Sequence, residues 1–179
     1  MLYYLSMNEC NINICESDQV TIKFKKTHPD AILPKRNHDD TLTGDVGFDL
    51  FAVKDTRIPS SKTIETGWGE TVAVIGNNIA DVGITVADIT PGYWFRIEAR
   101  SGLGFSKGIQ PHFGVIDNPY RGDLGVKLYN LTGKDVVINK GQACAQLVVY
   151  KMINTKVEWA DEISETERGA KGFGSSDKE

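Results

Sequence analysis

The chain has 179 residues, a formal net charge of −4 and three cysteines. One domain is expected at this length, since a domain typically takes ~100–200 residues, and a 40% hydrophobic, 25% charged composition supports a packed core over wholesale disorder. The mild acidity excludes a general nucleic-acid binder, which needs a basic face to displace counterions, and no apolar run approaches the ~18 residues of a membrane span.

The first residues, MLYYLSMNECN, lack the basic start and apolar stretch of a signal peptide. Cys10, Cys15 and Cys144 are odd in number and form no CxxC, which argues against a disulfide framework or a zinc site and for a reducing, cytoplasmic setting. Val20, Ile22 and Phe24 alternate with polar residues and predict a strand. Asn78 to Ile89 places Ile79, Val82, Val86 and Ile89 at helical spacing, but Gly83 and the β-branched neighbours weaken a helix there. Tyr93 to Ala99 is strand-like. Leu124, Val126 and Leu128 alternate again, and Val136 to Ile138 and Ala145 to Tyr150 are short apolar runs. Asn118-Pro119, Thr132-Gly133-Lys134 and Asn139-Lys140-Gly141 punctuate them as turns. Many short strands with no long amphipathic helix predict an all-β sandwich, jelly roll or barrel. The polar, glycine-rich stretch from Glu162 to Glu179 reads as a mobile tail.

Several short strings carry chemistry. Arg100-Ser101-Gly102-Leu103 combines a forked cation, a hydroxyl and a glycine that lets an anion approach the backbone. The same string also suits a plain solvated turn. Asp117, at the end of apolar Gly114-Val115-Ile116, is placed to act as a general base on water, or simply to start the turn that Asn118-Pro119 makes natural. Tyr120 suits packing on a sugar or closing a strand end. Asp49 has the hard oxygens that magnesium and its waters favour, and Gln146 offers an amide from a strand. Arg168 with Gly169, Gly172, Gly174, Ser175 and Ser176 forms a glycine-rich anion clamp, which is not a Walker loop because GxxxxGK[ST] is absent. Phe173 in that tail has no core to serve and suits stacking on a ligand.

In order and spacing these strings resemble the five motifs of the trimeric dUTPases, the deoxyuridine triphosphate nucleotidohydrolases. The motifs are Gly47 to Ala52, Arg100 to Leu103, Gly114 to Asp117 with Tyr120-Arg121-Gly122, Gly141 to Gln146, and Arg168-Gly169 with Gly172 to Ser176. The resemblance covers residues 20–179. It implies a jelly-roll-like distorted barrel with a C-terminal arm, assembled as a homotrimer with shared active sites. It further implies magnesium-dependent hydrolysis of dUTP to dUMP and pyrophosphate by water attack on the α-phosphate, which keeps uracil out of DNA and supplies dUMP for dTMP synthesis. By motif position, Asp117 is the base. Arg100, Ser101, Gly102 and Gln146 hold phosphates, and Asp49 bonds waters of the magnesium. Tyr120 stacks beneath the deoxyribose, while a hairpin from Ile109 to Ile116 (Gly114, Val115 and Ile116 included) reads uracil through its backbone. Arg168 reaches the γ-phosphate, and Phe173, Gly174 and Ser175 belong to the arm, residues 162–179, that closes over substrate.

Two readings compete with this one. The related dCTP deaminases use a Glu on the strand after the third motif, where Lys127 stands here, and a second Ser where Gly102 stands. A regulatory, protein-binding role is the other, suggested by two departures from the family pattern. These are an N-terminal extension, 1–19, and an apparent insertion of about residues 69–88 into the β domain, 20–161. An insertion of this kind is expected to form a surface loop, with a possible protein partner.

Overall fold

The computed structural model describes residues 19–40, 43–167 and 169–170. Two four-stranded antiparallel sheets face each other. The first is ordered β1 (Ile22–Lys26), β6 (Gly76–Ile89), β10 (Asp123–Asn130), β8 (Ile109–Pro111). The second is ordered β2 (Phe48–Phe51), β12 (Ala143–Lys151), β7 (Tyr93–Glu98), β9 (Gly114–Ile116). A small sheet of β3 (Thr56–Ile58) and β11 (Val136–Ile138) closes one end. This is the distorted jelly-roll expected from the motif pattern.

The alternation is physical. In β10, Leu124, Val126, Leu128 and Asn130 point inward, while Asp123, Gly125 and Lys127 are exposed. Phe95 and Leu147 of the second sheet meet the first across the core, where Phe24 packs edge-on to Phe95 at 6.4 Å. Burying each such side chain contributes roughly 1.5–3 kcal/mol. Cys144 lies in the same core, and burial pushes its thiol up to about 12, so it stays protonated and inert.

Residues 76–89 depart from the expected surface loop. They form β6, the longest strand, flanked by β1 and β10, with Ala80, Val82, Ile84 and Val86 buried. Gly83 sits at φ 65°, where a Cβ would strike His28 and Val53, and its carbonyl accepts the backbone N–H groups of Thr27 and His28. What does project is the hairpin of β4 (Lys62–Glu65) and β5 (Thr71–Val74), exposed at every strand residue, with Trp68 at its tip 93% exposed.

The expected hairpin from Ile109 to Ile116 is also different. Its arms lie in different sheets: β8 pairs with β10 and β9 with β7. The chain crosses between sheets at His112-Phe113, and each arm ends its sheet as an edge strand.

Asn130 is the one fully buried side-chain amide among the described residues. Its Nδ2 donates to Ile58 O (3.1 Å) and Lys134 O (2.8 Å), and its Oδ1 accepts from the backbone N–H and hydroxyl of Thr132 (3.0 and 2.8 Å). An Asn130→Asp carboxylate cannot donate to the two carbonyls, so this variant is expected to lose about 3 kcal/mol of stability. A fall in the urea midpoint at unchanged slope checks it. An unmoved midpoint would show that the amide is not a structural keystone.

Candidate active site

Antiparallel pairing sets Asp49 of β2 opposite Gln146 of β12, and Gln146 opposite Glu98 of β7. Directly beyond β7 the chain turns through Arg100 into a short helix, α1 (Ser101–Lys107). The β2, β12 and β7 strands and the helix start therefore converge. They enclose a cleft of about 490 Å³ lined by Asn37, Asp45, Gly47, Asp49, Arg100, Ser101, Gly102, Gln146 and two valines.

The charges in this cleft are organised. Arg100 grips the buried Asp49 with its fork, Nε to Oδ1 at 2.7 Å and Nη2 to Oδ2 at 3.0 Å. Its Nη1 donates to Ala143 O at 3.3 Å. Three donors of the five on an arginine are thus used within the chain, leaving two N–H groups to face a ligand. Asn37 Nδ2 donates to Asp49 Oδ2 at 3.3 Å. Gln146 Nε2 donates to Ala99 O at 2.8 Å, which fixes the amide. Gly47 is required here because a Cβ would run into the Gln146 side chain. By contrast, Cβ atoms at Gly102 and Gly114 would meet nothing within 4 Å. No packing among the described residues demands glycine at those two places, which leaves room for a ligand or a second copy.

Asp45 and Asn37 are cleft residues that the sequence reading did not assign. Both lie in the polar loop before β2. The His38 backbone N–H, 3.1 Å from Asp45 Oδ2, holds that carboxyl below the usual carboxylate range. The only pointer in the sequence is proximity to the first motif.

Asp117 and Tyr120 lie elsewhere. They follow β9, at the edge of the second sheet opposite β2. Three strand spacings across and four residues along put Asp117 about 19 Å from Asp49. The Asp117 carboxylate is exposed and makes no hydrogen bond or ion pair with any described residue. Tyr120 N donates to Asp117 O at 3.0 Å, and the Tyr120 hydroxyl donates to Asp123 O at 2.9 Å, which locks the ring. Val115 and Ile116 offer the free backbone edge of β9. Lys127 stands exposed on β10, its ammonium 5.4 Å from the Tyr129 ring. Arg168, Phe173, Gly174 and Ser175 lie outside the described residues, as do Cys10 and Cys15.

Among the described residues no three His, Cys, Asp or Glu side chains gather into a metal cage, and no helix is long and apolar enough to cross a membrane. The donors in the cleft are hard oxygens, from Asp45, Asp49 and Gln146. That set fits magnesium, which keeps its waters and is held largely by substrate phosphates.

Two facing antiparallel sheets with a polar, arginine-bearing cleft define a jelly-roll protein with an anion-type site. The dUTPase family model matches residues 35–177, and the chain belongs to the dUTPase family. It is 34% identical over 156 residues to the deoxyuridine 5'-triphosphate nucleotidohydrolase of Paramecium bursaria Chlorella virus 1, covering 87% of this chain and 97% of that one. It is 33% identical over 164 residues to the enzyme of the same name from Kluyveromyces lactis, covering 91% and 98%. The fold matches a Staphylococcus bacteriophage 80alpha dUTPase mutant with dUpNHpp at a TM-score of 0.67, with 23% identity over 87% of this chain and 98% of that one.

Proposed function

We propose that this chain is a dUTP diphosphatase whose sites form between copies of the chain. The observation that carries this reading is the separation of a phosphate-type cleft, at Asp49, Arg100, Ser101, Gly102 and Gln146, from the free carboxylate of Asp117. Reacting atoms must come within about 3–3.5 Å, so a separation of about 19 Å on one subunit, from ideal strand spacings, points to a partner subunit that brings its Asp117 to the cleft. A homotrimer with shared sites satisfies this.

The triphosphate enters the cleft, where Asp49 would hold a magnesium ion through its waters and the ion would supply charge neutralisation for the phosphates. Asp49 Oδ2 is filled by Arg100 and Asn37, but Oδ1 accepts only one bond and keeps a lone pair with which it would hold a water of the magnesium. The spare Arg100 donors, the Ser101 hydroxyl and the open backbone at Gly102 face the phosphates, and the first-turn N–H groups of α1 lack intrahelical partners. Asp117 of the partner takes a proton from water. The water oxygen bonds to the α-phosphorus, the bond from that phosphorus to its oxygen bridging the β-phosphate breaks, and pyrophosphate leaves. The ring of Tyr120 supports the deoxyribose and crowds out a 2′-hydroxyl. The free edge of β9, Gly114 to Ile116, pairs with uracil. The roles of Arg168 and of the Phe173-Gly174-Ser175 segment of the arm rest on the motif resemblance.

The deciding experiment offers dUTP, dCTP, dTTP and UTP with magnesium and assays pyrophosphate and ammonia separately. Pyrophosphate from dUTP alone is expected. Ammonia from dCTP would transfer the chain to the deaminase reading, and no product from any nucleotide would remove the enzymatic one.

A further inference from the structure

The turn that carries Asp117 and Tyr120 has little to hold it. It follows a three-residue edge strand and is largely exposed. Its closure is local: Tyr120 N to Asp117 O, and Arg121 Nη1 to the carbonyls of Asn118 (2.7 Å) and Tyr120 (2.8 Å). Local bonds shape the turn but do not place it.

Placement comes from Asn118. Its half-buried Nδ2 lies 3.0 Å from Tyr93 O, 3.1 Å from Thr90 O and 3.5 Å from Ile89 O, the carbonyls that join β6 to β7. Two amide protons thus serve the two nearer carbonyls. Pro119 restricts Asn118 to extended backbone, which holds the side chain ready for this contact. A second mooring is Thr85 of β6, whose hydroxyl lies 2.7 Å from both Arg121 O and Gly122 O. The turn is therefore tied at one end to the β6–β7 connection and the start of β7, and at the other to Thr85 of β6 in the facing sheet.

We propose that Asn118 is a positioning residue for Asp117, setting where its carboxylate stands when a partner's cleft presents the α-phosphate. This rests on the reading of Asp117 as the base. Asn118 touches neither substrate nor the reacting atoms. Misplacing a reacting group by ~1 Å can cost about 100-fold.

The test compares Asn118→Ala, Asp117→Asn and the double variant, measuring kcat, KM and binding of the non-hydrolysable analogue dUpNHpp. Asn118→Ala is expected to lower kcat about 30-fold with analogue affinity within about threefold, because the phosphate cleft is untouched. The double variant is expected to be no slower than Asp117→Asn alone, since Asn118 acts only through that carboxylate. Additive losses, or affinity falling in step with kcat, would overturn the proposal and leave a general structural role. Wild-type kcat in Asn118→Ala, beside a collapsed Asp117→Asn, would overturn this inference and spare the base. Wild-type kcat in Asp117→Asn would remove the base reading itself. If Asn118→Ala does not fold, Thr85→Val carries the same comparison from the other mooring, with a smaller fall in kcat and the same unchanged affinity. A Thr85→Val enzyme with unaltered kcat would then count against the positioning model.

Discussion

Asp117→Asn is expected to leave a folded protein that binds dUTP and scarcely hydrolyses it. The substituted amide has the same shape but cannot accept the proton that water loses on attack, and a positioned general base typically contributes 10²–10⁴-fold. Stability is expected to hold within about 0.5 kcal/mol, as for exposed positions without special contacts. The contrast with Asp49 supports Asp117 as the proposed base. Both Asp49 oxygens are taken by Arg100, and the residue is 7% exposed, whereas Asp117 is exposed and unpartnered by described residues. A carboxylate committed to a guanidinium is a poor base, and one facing solvent at a sheet edge is free to meet water. Pyrophosphate release and dUpNHpp binding, measured on the same preparation, check both halves. Turnover at the wild-type rate would end the assignment.

The sequence made most strands legible because one face of each is buried. In β10 the period of two survives along the strand, and turn residues bound it, whereas β12 is read as an apolar run because Ala143, Cys144 and Ala145 are all buried. β6 misled because Ile79, Val82, Val86 and Ile89 fall at helical spacing. The inward set is Ala80, Val82, Ile84 and Val86, while Ile79 is 58% exposed. A small alanine and a positive-φ glycine hid the alternation, and an apparent length difference was assigned to a segment that is mostly core. The part of residues 60–89 that leaves the core is the β4–β5 hairpin, whose apolar residues Ile64, Val72 and Val74 face solvent and so carry no burial pattern to read. Helix α1 escaped because seven residues with two glycines have little intrinsic propensity. Leu103, buried beneath it, and Gly108, in the left-handed cap, hold it in place.

The site was legible as motifs but not as geometry. Spacing in sequence could not show that Asp49, Arg100 and Gln146 meet through the β2–β12–β7 register, nor that Arg100 spends its fork on Asp49. Asn118 looked like a turn former, and its role as a clamp exists only because the β6–β7 connection lies against it.

Mixing two inactive variants provides the sharpest expected result. Arg100→Gln removes the fork from the cleft, and loss of such an oriented cation is expected to cost about 100-fold or more. Asp117→Asn disables the other edge. Neither has a working site alone if each site takes its cleft from one subunit and its base from another. Co-refolded in equal amounts, a quarter of the junctions pair an Arg100-bearing cleft with an Asp117-bearing edge, so activity is expected to return to roughly one quarter of wild type. The rise must depend on subunit exchange: mixing the two assembled proteins without unfolding should give only the average of the parents. Asp49 of the cleft and Asp117 stand at opposite edges of one sheet, with β12 and β7 between them, and closing that distance within a subunit would mean dismantling the sheet. A co-refolded mixture no more active than its parents would place the whole site in one chain and refute the shared arrangement.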